Sequence, residues 1–317
     1  MKIGYFLSCE EYGPHELVRQ ARMAEEAGFH GLWISDHFHP WNDEQGESPF
    51  VWAVIGALAE ATSRMPVTTA VTAPTVRIHP AIIAQAAATA QVMLDGRFAL
   101  GVGSGEALNE HIYGDPWPSA DERQDMLEEA VEFIRELWTG KLVTDQGNYY
   151  TVDRARIYTL PDEPPPILVS GFGPQSVDLA GRIGDGYVTT MPDRELIDRY
   201  RAAGGEGKPV QAGTKVCYAA DREEAIRTVH RLWPNEALPG ELPQVLPTPA
   251  HYEQASSLVT EEMIAEAVPC GPDLDQHVAA LQEFADAGVD ELYVQQIGGD
   301  HAAFFEAYEH DVLPRFP

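Results

Sequence analysis

The stretch GLWISDHFHPW, residues 31–41, joins a short apolar run directly to a group of ionisable and aromatic side chains. The stretch RFALGVGSGEALNE, residues 97–110, repeats this organisation with Glu106 in its polar half. Both patterns are typical of a buried strand that ends in a loop carrying acid–base groups. Because the C-terminal ends of parallel strands share one face of an α/β sheet or barrel, and chemistry takes place there, we expect Asp36, His37 and Glu106 to lie in one pocket.

Strand-like and helix-like segments alternate along the whole chain. Eight short apolar runs are typical of strands: Lys2–Ser8, Gly31–Ile34, Val67–Val71, Arg97–Val102, Pro166–Ser170, Gly186–Thr190, Val210–Tyr218 and Glu291–Gln295. Helical patterns occupy Pro14–Ala27, Phe50–Thr62, Pro80–Leu94, Ala120–Leu137, Gly173–Gly181, Arg194–Ala202, Arg222–Leu232, Asp273–Ala287 and Ala302–Val312. This α/β alternation predicts parallel strands with crossover helices, and eight strands are the number that closes a (β/α)8 TIM barrel.

An open doubly wound sheet is the alternative arrangement of the same segments. The dinucleotide-binding pattern Gly-x-Gly-x-x-Gly does not follow the first strand, where the sequence SCEEYG, residues 8–13, stands instead. A nicotinamide-binding sheet is therefore disfavoured, and the barrel is the predicted fold.

Two insertions interrupt what we predict to be a single domain over residues 1–317. Residues 141–165 contain the sequence GNYY at 147–150, which predicts a hairpin. Residues 233–259 contain five prolines and follow neither the helix nor the strand period. A long, proline-rich insertion in a compact domain is often a lid or binding loop, and a disordered surface loop is the alternative.

Composition and charge narrow the class of partner. The chain has 317 residues, of which 44% are hydrophobic, and its 21 basic and 50 acidic side chains give a formal net charge of −29. A chain this acidic repels nucleic acid and anionic lipid, so we exclude both as partners. No apolar run reaches the ~18 residues of a membrane span. Three scattered cysteines and an N-terminus that reads as a strand, without a signal peptide, predict a cytoplasmic protein without disulfides.

Four stretches carry a family resemblance: SDHFHPW at 35–41, APTVRIHPA at 73–81, GVGSGEALNE at 101–110 and AGRIGDG at 180–186. With them, over nearly its full length, the chain resembles the deazaflavin (coenzyme F420)-dependent dehydrogenases of the bacterial-luciferase-like superfamily. The similarity is greatest to the branch of the glucose-6-phosphate and secondary alcohol dehydrogenases. The resemblance implies a luciferase-like (β/α)8 barrel, a homodimer, and F420 lying across the C-terminal mouth to accept a hydride from a carbinol C–H bond.

The resemblance assigns catalytic roles to three residues. His37 matches the base, and an imidazole that titrates near neutrality can take a hydroxyl proton as hydride leaves. Trp41 matches a residue that packs over the reacting centre. Glu106 matches an acid at the pyrimidine edge of the cofactor, a role that requires a raised pKa. No metal is predicted, because His37 and His39 have no third ligand at metal-like spacing.

The resemblance also implies a cofactor-binding set. Its members are Asp36, Ala70, Val71, Ala73, Gly105, Glu106, Asn109, Ser170, Gly171, Phe172 and Gly173. Ala70–Val71 matches a cis peptide bond that supports the back of the ring, and Asp36 and Asn109 match ring or ribityl contacts. Residues 170–174 match a phosphate cradle, for which glycines and a helix N-terminus supply exposed N–H groups.

The substrate site departs from the sugar-phosphate branch. Where that branch has basic side chains for a phosphate, this chain has Asp193, Gln254 and Ala267, and Arg194 is the neighbour that could partly compensate. We therefore predict an F420-dependent oxidoreductase acting on an uncharged alcohol or sugar, with glucose 6-phosphate a poor substrate. The alternative is an FMN-dependent luciferase-like monooxygenase, which would not need the Asp36, His37 and Glu106 set.

Overall fold

The computed structural model describes residues 1–316 and contains ten strands. They are β1 (Lys2–Leu7), β2 (Leu32–Ile34), β3 (Val67–Thr69), β4 (Phe98–Val102), β5 (Val143–Gln146), β6 (Thr151–Ala155), β7 (Ile167–Ser170), β8 (Gly186–Thr189), β9 (Val210–Val216) and β10 (Glu291–Gln296). Eight of them pair in parallel and close a barrel in the order β1-β10-β9-β8-β7-β4-β3-β2. The predicted (β/α)8 TIM barrel is confirmed, and each of the eight predicted runs contributes one barrel strand.

Helices fill the segments between the strands. They are α1 (Pro14–Glu26), α2 (Val51–Ala61), α3 (Pro80–Met93), α4 (Ala107–Glu110), α5 (Ala120–Leu137), α6 (Pro174–Ile183), α7 (Arg194–Tyr200), α8 (Arg222–Leu232), α9 (Leu242–Val245), α10 (Pro249–Ser256), α11 (Glu261–Ala267), α12 (Leu274–Ala287) and α13 (His301–Ala307). In α1, Pro14 occupies the first turn, an apolar face centred on Leu17 and Ala21 is buried, and Gly28 leaves the helix at φ 87°. No helix of the described residues is long and apolar enough to cross a bilayer.

Large side chains fill the centre of the barrel. Trp33 and Tyr293 stack with their ring centroids 4.8 Å apart. Both rings need glycine opposite them, because a Cβ atom on Gly213 would lie 2.6 Å from Trp33 and one on Gly4 would lie 2.4 Å from Tyr293. Trp33 also donates a 2.7 Å hydrogen bond to Gln211. Because the interior is packed, a ligand must bind above this layer, at the C-terminal mouth.

The first insertion forms the predicted hairpin. Strands β5 and β6 pair antiparallel, and the carboxylate of Glu129 accepts hydrogen bonds from the backbone of residues 148–150 at the turn. The hydroxyl of Tyr150 donates to the carbonyl of Thr75 at 2.9 Å, which fastens the hairpin to the barrel.

The second insertion is helical, so the disordered loop offered as an alternative is wrong. It contains a 3-10 turn at Pro234–Ala237 and the helices α9 and α10. Each of these begins with a proline in its first turn, a position that proline tolerates because no intrahelical N–H bond is needed there. Trp233 and Val259, at the two ends of the insertion, are both buried in a small apolar cluster.

Candidate active site

Loops that follow β2 and β4, which flank β3 in the barrel, bring His37 and Glu106 together at the mouth. His37 lies just beyond β2 and Glu106 just beyond β4, and His37 Nε2 lies 3.6 Å from Glu106 Oε2. A third acid, Glu10, lies beyond β1 with its Oε1 atom 3.3 Å from the same His37 nitrogen. We call Glu10, His37 and Glu106 the histidine cluster. Glu10 is not among the site residues predicted from the sequence, although it follows the first strand and the same strand-end rule applies to it.

Glu10 is a buried carboxylate held by two hydroxyl groups. Ser8 and Ser35 donate to its Oε2 atom at 2.8 and 2.7 Å. Burial by itself raises the pKa of Glu10, but the imidazole of His37 and these hydrogen bonds outweigh burial and hold the pKa below its usual range. Glu10 is therefore the ionised partner of His37.

The ring of His37 is oriented through its other nitrogen. Nδ1 lies 3.1 Å from the carbonyl oxygen of His39, and a carbonyl can only accept. The proton of the neutral ring is thus assigned to Nδ1, which leaves Nε2 free to take a proton. Trp41 covers the ring, with centroids 5.0 Å apart, and Tyr252 from α10 packs edge-on against Trp41 at 5.1 Å.

Glu106 differs from Glu10 in the direction of its pKa shift. Desolvation in the mouth raises the pKa of Glu106 to about 6, although the charge of His37 opposes this shift. Its side chain remains about one-third exposed, at 32%. The structure therefore provides a carboxyl group that can carry a proton close to neutral pH and can still reach a ligand.

A second group of charges lies beside the first. Arg77 donates a 2.8 Å hydrogen bond to Asp36 Oδ1, and its Nε atom lies 3.4 Å from Glu110 Oε1. Thr72 donates to the other Asp36 oxygen at 2.7 Å. We call Asp36, Arg77 and Glu110 the arginine cluster, and all three side chains are at most 5% exposed.

Asp36 bonds to the arginine cluster and not to the histidine cluster. Its oxygens accept hydrogen bonds from Thr72 and Arg77, whereas His37 and Glu106 pair with each other, so the three residues expected in one pocket are divided between two adjoining clusters. Arg77, which the sequence analysis passed over inside the stretch 73–81, is the residue that draws Asp36 away.

Asn109 fastens the two loops to each other. Its side-chain oxygen accepts from the backbone N–H groups of Phe38 and His39 at 2.8 and 3.1 Å, and its nitrogen donates to Glu106 at 3.3 Å. Asn109 thus fixes the distance between the base and the acid.

Small residues line the mouth next to Glu106. The Ala70–Val71 peptide bond is cis, as the resemblance implied. Gly105 has φ 87°, and a Cβ atom on it would lie 3.3 Å from the methyl group of Ala73. A second glycine, Gly103, would place a Cβ atom 2.7 Å from Val71. These residues form one continuous surface with little side-chain bulk, as a flat ligand requires.

The predicted phosphate cradle is partly occupied by the protein itself. Ser170, Gly171, Phe172 and Gly173 lead from β7 into α6, as expected. However, Ser176 reaches back so that its Oγ atom accepts from the N–H groups of Phe172 and Gly173 at 3.2 and 3.1 Å. The expectation that these N–H groups are exposed is therefore wrong, and an anion would depend on the remaining first-turn N–H groups of the helix.

The substrate side of the mouth carries one cation that the sequence analysis missed. Lys215, at the end of β9, lies 4.5 Å over the ring of Trp233, and its ammonium group pairs with Glu236 at 2.8 Å. Asp193 caps α7 by accepting from the N–H of Leu196.

Arg194 points away from the mouth. Its guanidinium donates to the backbone carbonyl of Asp286 in α12, on the outside of the barrel. The expectation that Arg194 partly compensates for missing basic side chains is therefore wrong, because this contact holds it on the outer helical layer.

A barrel whose mouth carries a histidine between two acids is the layout of a (β/α)8 enzyme with acid–base chemistry at its strand ends. The family model described as luciferase-like monooxygenase matches residues 1–291, and the chain belongs to this luciferase-like family. The family resemblance drawn from the sequence is confirmed.

Relatives agree over nearly the full length. The F420-dependent glucose-6-phosphate dehydrogenase of Amycolatopsis mediterranei is 37% identical and matches across 99% of this chain and 98% of its own. The enzyme of the same name from Segniliparus rotundus is 38% identical across 99% and 98%.

Solved structures have the same fold. An F420-dependent secondary alcohol dehydrogenase, in complex with an F420–acetone adduct, superposes with a TM-score of 0.91 at 31% identity, over 98% of both chains. An F420-dependent tetrahydromethanopterin reductase from Methanopyrus kandleri, at 21% identity and a TM-score of 0.75 over the whole of both chains, shares the fold.

Proposed function

We propose that this protein is an F420-dependent oxidoreductase that transfers a hydride between the deazaflavin and a hydroxyl-bearing substrate. The observation that carries the proposal is the histidine cluster: one imidazole nitrogen lies within 3.6 Å of two carboxyl groups whose pKa values are shifted in opposite directions. Paired groups with diverging pKa values are the usual mark of an acid and a base with separate tasks. Relatives named F420-dependent dehydrogenases support the choice of cofactor.

The residues present fit a deazaflavin. The low-bulk surface of Ala70, Val71, Ala73 and Gly105 can lie against a flat ring, and Glu106 stands at the end of that surface. When bound there, F420 supplies the acceptor for a hydride that leaves the carbinol carbon. Asp36 and Asn109 support this region, since their side chains bond to Arg77 and to the backbone of residues 38 and 39.

His37 is the proposed general base. Its free Nε2 atom faces the mouth and takes the proton of the substrate hydroxyl as the C–H bond breaks. The ionised Glu10, 3.3 Å away, stabilises the resulting imidazolium. Trp41 covers the ring of His37 and Tyr252 packs against Trp41, so the two side chains limit the access of water to the base. Tyr252 belongs to the second insertion, so we propose that residues 233–259 form a lid.

Glu106 is the proposed general acid. With its pKa raised to about 6, a useful fraction of the carboxyl group carries a proton near neutral pH. Glu106 would hold this proton at the edge of a bound deazaflavin ring, where a general acid would be needed. The same residues permit the reverse reaction, in which a carbonyl or activated alkene is reduced.

We propose an uncharged hydroxyl compound as the substrate. At Asp193, Gln254 and Ala267 the chain offers no cation, and Lys215 is already paired with Glu236. A phosphate would lose several charge-assisted hydrogen bonds of about 1.5–3 kcal/mol each. Glucose 6-phosphate should therefore turn over far more slowly than a secondary alcohol or free glucose, although relatives are named for it. Equal turnover of the phosphate and the alcohol would contradict this substrate class.

A cofactor titration tests the proposal. Oxidised F420 and, separately, FMN are added to the purified protein while tryptophan fluorescence is followed, since Trp41 lies in the mouth. Tight binding of F420 and weak binding of FMN support the dehydrogenase. The opposite order would favour the FMN-dependent monooxygenase, and binding of neither would indicate a barrel that has lost its cofactor site.

We further propose a single-domain protein that acts as a homodimer in the cytoplasm. Free, buried side chains at Cys9, Cys217 and Cys270 support a reducing compartment, and the family resemblance supports the dimer. Light scattering coupled to size exclusion should give twice the mass of the chain, and unfolding should occur in one transition. A monomer, or two separate transitions, would contradict these points.

A further inference from the structure

Two arginines are buried among the described residues, and their surroundings differ. Arg77 lies between two carboxylates, Asp36 and Glu110. Arg123, on α5, is 5% exposed and forms no ion pair within the part of the chain that the structure describes. Its NH1 group donates to the carbonyl of Pro118 at 2.7 Å, which accounts for one of its five N–H donors.

The guanidinium of Arg123 stacks on Trp117, and both side chains carry a donor without an acceptor. The central carbon of the guanidinium lies 4.4 Å from the centre of the indole ring. Arg123 Nε and Trp117 Nε1 are buried, and neither has a hydrogen-bond partner. Buried N–H groups without an acceptor are rare in folded proteins, and each one calls for an explanation. Two of them beside a buried cation indicate that an acceptor with negative charge belongs there.

The stacked pair stands at the rim of the proposed active site. Trp117 packs against the glycine-rich loop, since a Cβ atom on Gly105 would lie 3.3 Å from its ring, and Gly105 directly precedes Glu106. On the other side is the second insertion, where Glu241 precedes α9. Burial lowers the pKa of Arg123 and Glu241 opposes that shift, but Glu241 makes no ion pair with it.

We propose that Trp117 and Arg123 form an anion subsite, which binds a carboxylate or phosphate group of the molecule that occupies the mouth. The proposal rests on the proposed function. A planar guanidinium beside an indole N–H suits oxygen atoms of such a group, since charge-assisted bonds of this kind are the strong ones. The other cations near the mouth are engaged, Arg77 with the arginine cluster and Lys215 with Glu236. In a chain with a net charge of −29, an anionic ligand needs such a local cation.

The anion can come from the cofactor or from the substrate, and one set of titrations distinguishes them. The affinities of wild type and Arg123→Gln are measured for oxidised F420 and for its riboflavin-like core, which lacks the phosphate and carboxylate groups. If the anion belongs to the cofactor, Arg123→Gln should bind F420 about 10- to 100-fold more weakly and should bind the core with unchanged affinity. If the anion belongs to the substrate, the F420 affinity stays unchanged and the KM for a hydroxy acid rises by a similar factor, while the KM for a neutral alcohol stays constant. This outcome supports the subsite and overturns the uncharged substrate class proposed above.

Matched variants separate an anion subsite from a structural contact. Arg135→Gln also removes one positive charge from α5, but at an exposed ion pair with Asp185, and should change neither affinity. Arg123→Lys keeps the charge and should recover part of the affinity, with melting temperatures reported for every variant. Unchanged ligand binding in Arg123→Gln would overturn the proposal. A second result would also overturn it. If Arg123→Gln and Glu241→Gln lower the stability equally, if the double variant loses no more than either single variant, and if ligand binding is unchanged, then Glu241 is the missing partner of Arg123.

Failure of the proposed function has its own signature. If wild type binds no F420, the proposed F420-dependent function is wrong, and the subsite is tested with inorganic phosphate alone. A rise in melting temperature with phosphate that is lost in Arg123→Gln supports the subsite. An equal rise in both proteins overturns it.

Discussion

The histidine cluster and the arginine cluster contain the same kinds of group in adjoining places, yet they differ in every property that matters for chemistry. Each combines two acids with one base, and His37 follows Asp36 directly in the chain. In the arginine cluster all three side chains are at most 5% exposed and the base is permanently charged. In the histidine cluster the base is an imidazole, which can take up and release a proton, and Glu106 remains 32% exposed.

The difference shows what a reactive site requires. Each oxygen of Asp36 accepts a hydrogen bond from Thr72 or Arg77, and the guanidinium of Arg77 compensates its charge. His37 keeps one ring nitrogen free between two carboxyl groups, and Glu106 holds a proton at a pH where Glu10 does not. A buried, charge-paired cluster orders the loops, while its partly exposed neighbour can exchange protons with a ligand.

The largest effect should come from breaking the arginine cluster. Arg77→Met leaves Asp36 and Glu110 buried without a counter-charge, and such a loss typically costs about 3–5 kcal/mol in the free energy of unfolding. Urea denaturation of wild type and variant measures the difference. Arg135→Met is the matched control, because it removes an exposed ion pair with Asp185 and should cost about 1 kcal/mol or less. Equal losses in the two variants would remove the distinction between the clusters.

His37→Ala should act on catalysis rather than on stability. Removal of a general base typically lowers the rate by about 100-fold or more. We expect kcat to fall by that factor, with the F420 dissociation constant and the melting temperature nearly unchanged. His310→Ala, at an exposed position, serves as the control. Loss of cofactor binding in His37→Ala would assign His37 to structure instead.

Glu106→Gln should have a smaller effect with a distinct pH signature. The amide can still donate a hydrogen bond, so we expect a loss on the order of tenfold in single-turnover hydride transfer. In wild type, the rate of alcohol oxidation should fall as the pH rises through about 6, where Glu106 loses its proton. In Glu106→Gln this fall in rate should be absent. An unchanged single-turnover rate would remove Glu106 from the mechanism.

The same pKa shift predicts a change in stability with pH. Because the pKa of Glu106 is raised from 4.5 to about 6 on folding, its contribution to stability is full below pH 4.5 and is lost as the pH rises through 6. The difference in the free energy of unfolding between wild type and Glu106→Gln, measured by urea denaturation, should therefore decline between pH 4.5 and 6. A flat difference would place the ionisation elsewhere.

The smallest effect should come from Asn109, which joins the loops of the two clusters. Asn109→Ala leaves the N–H groups of Phe38 and His39 without their acceptor, at a cost of about 1–2 kcal/mol in the free energy of unfolding. A several-fold lower kcat should accompany this loss, because the loop carrying His37 is less well fixed. An unchanged kcat would show that Asn109 does not position the base.

The barrel and the pairing of His37 with Glu106 could be predicted because they follow from short-range patterns. Eight apolar runs separated by helical segments specify the topology, and parallel strands place their ends on one face. Glu10 could have been predicted in the same way, since it follows β1 as His37 follows β2. The placement of Arg77 was not, because charge type alone does not reveal which of several nearby acids a base will hold.

Contacts between distant segments explain the remaining differences. Tyr252 meets Trp41 across more than 200 residues, and Lys215 meets Glu236 through the fold of the second insertion. Five prolines suggested an irregular segment there, but proline in a first turn is compatible with the short helices that form. Likewise, the hydroxyl oxygen of Ser176 accepts a hydrogen bond from the N–H group of Phe172 in the predicted phosphate cradle, and a glycine-rich sequence pattern does not predict this contact.

A single-turnover reaction with a secondary alcohol deuterated at its carbinol carbon tests the account most directly. Wild type and His37→Ala, each saturated with oxidised F420, are mixed with the alcohol while the deazaflavin absorbance is followed and the product is analysed by mass. The account predicts direct transfer of deuterium to F420 in both proteins, about 100-fold more slowly in His37→Ala. Loss of the deuterium to solvent, or equal rates in the two proteins, would contradict a hydride transfer that depends on the histidine cluster.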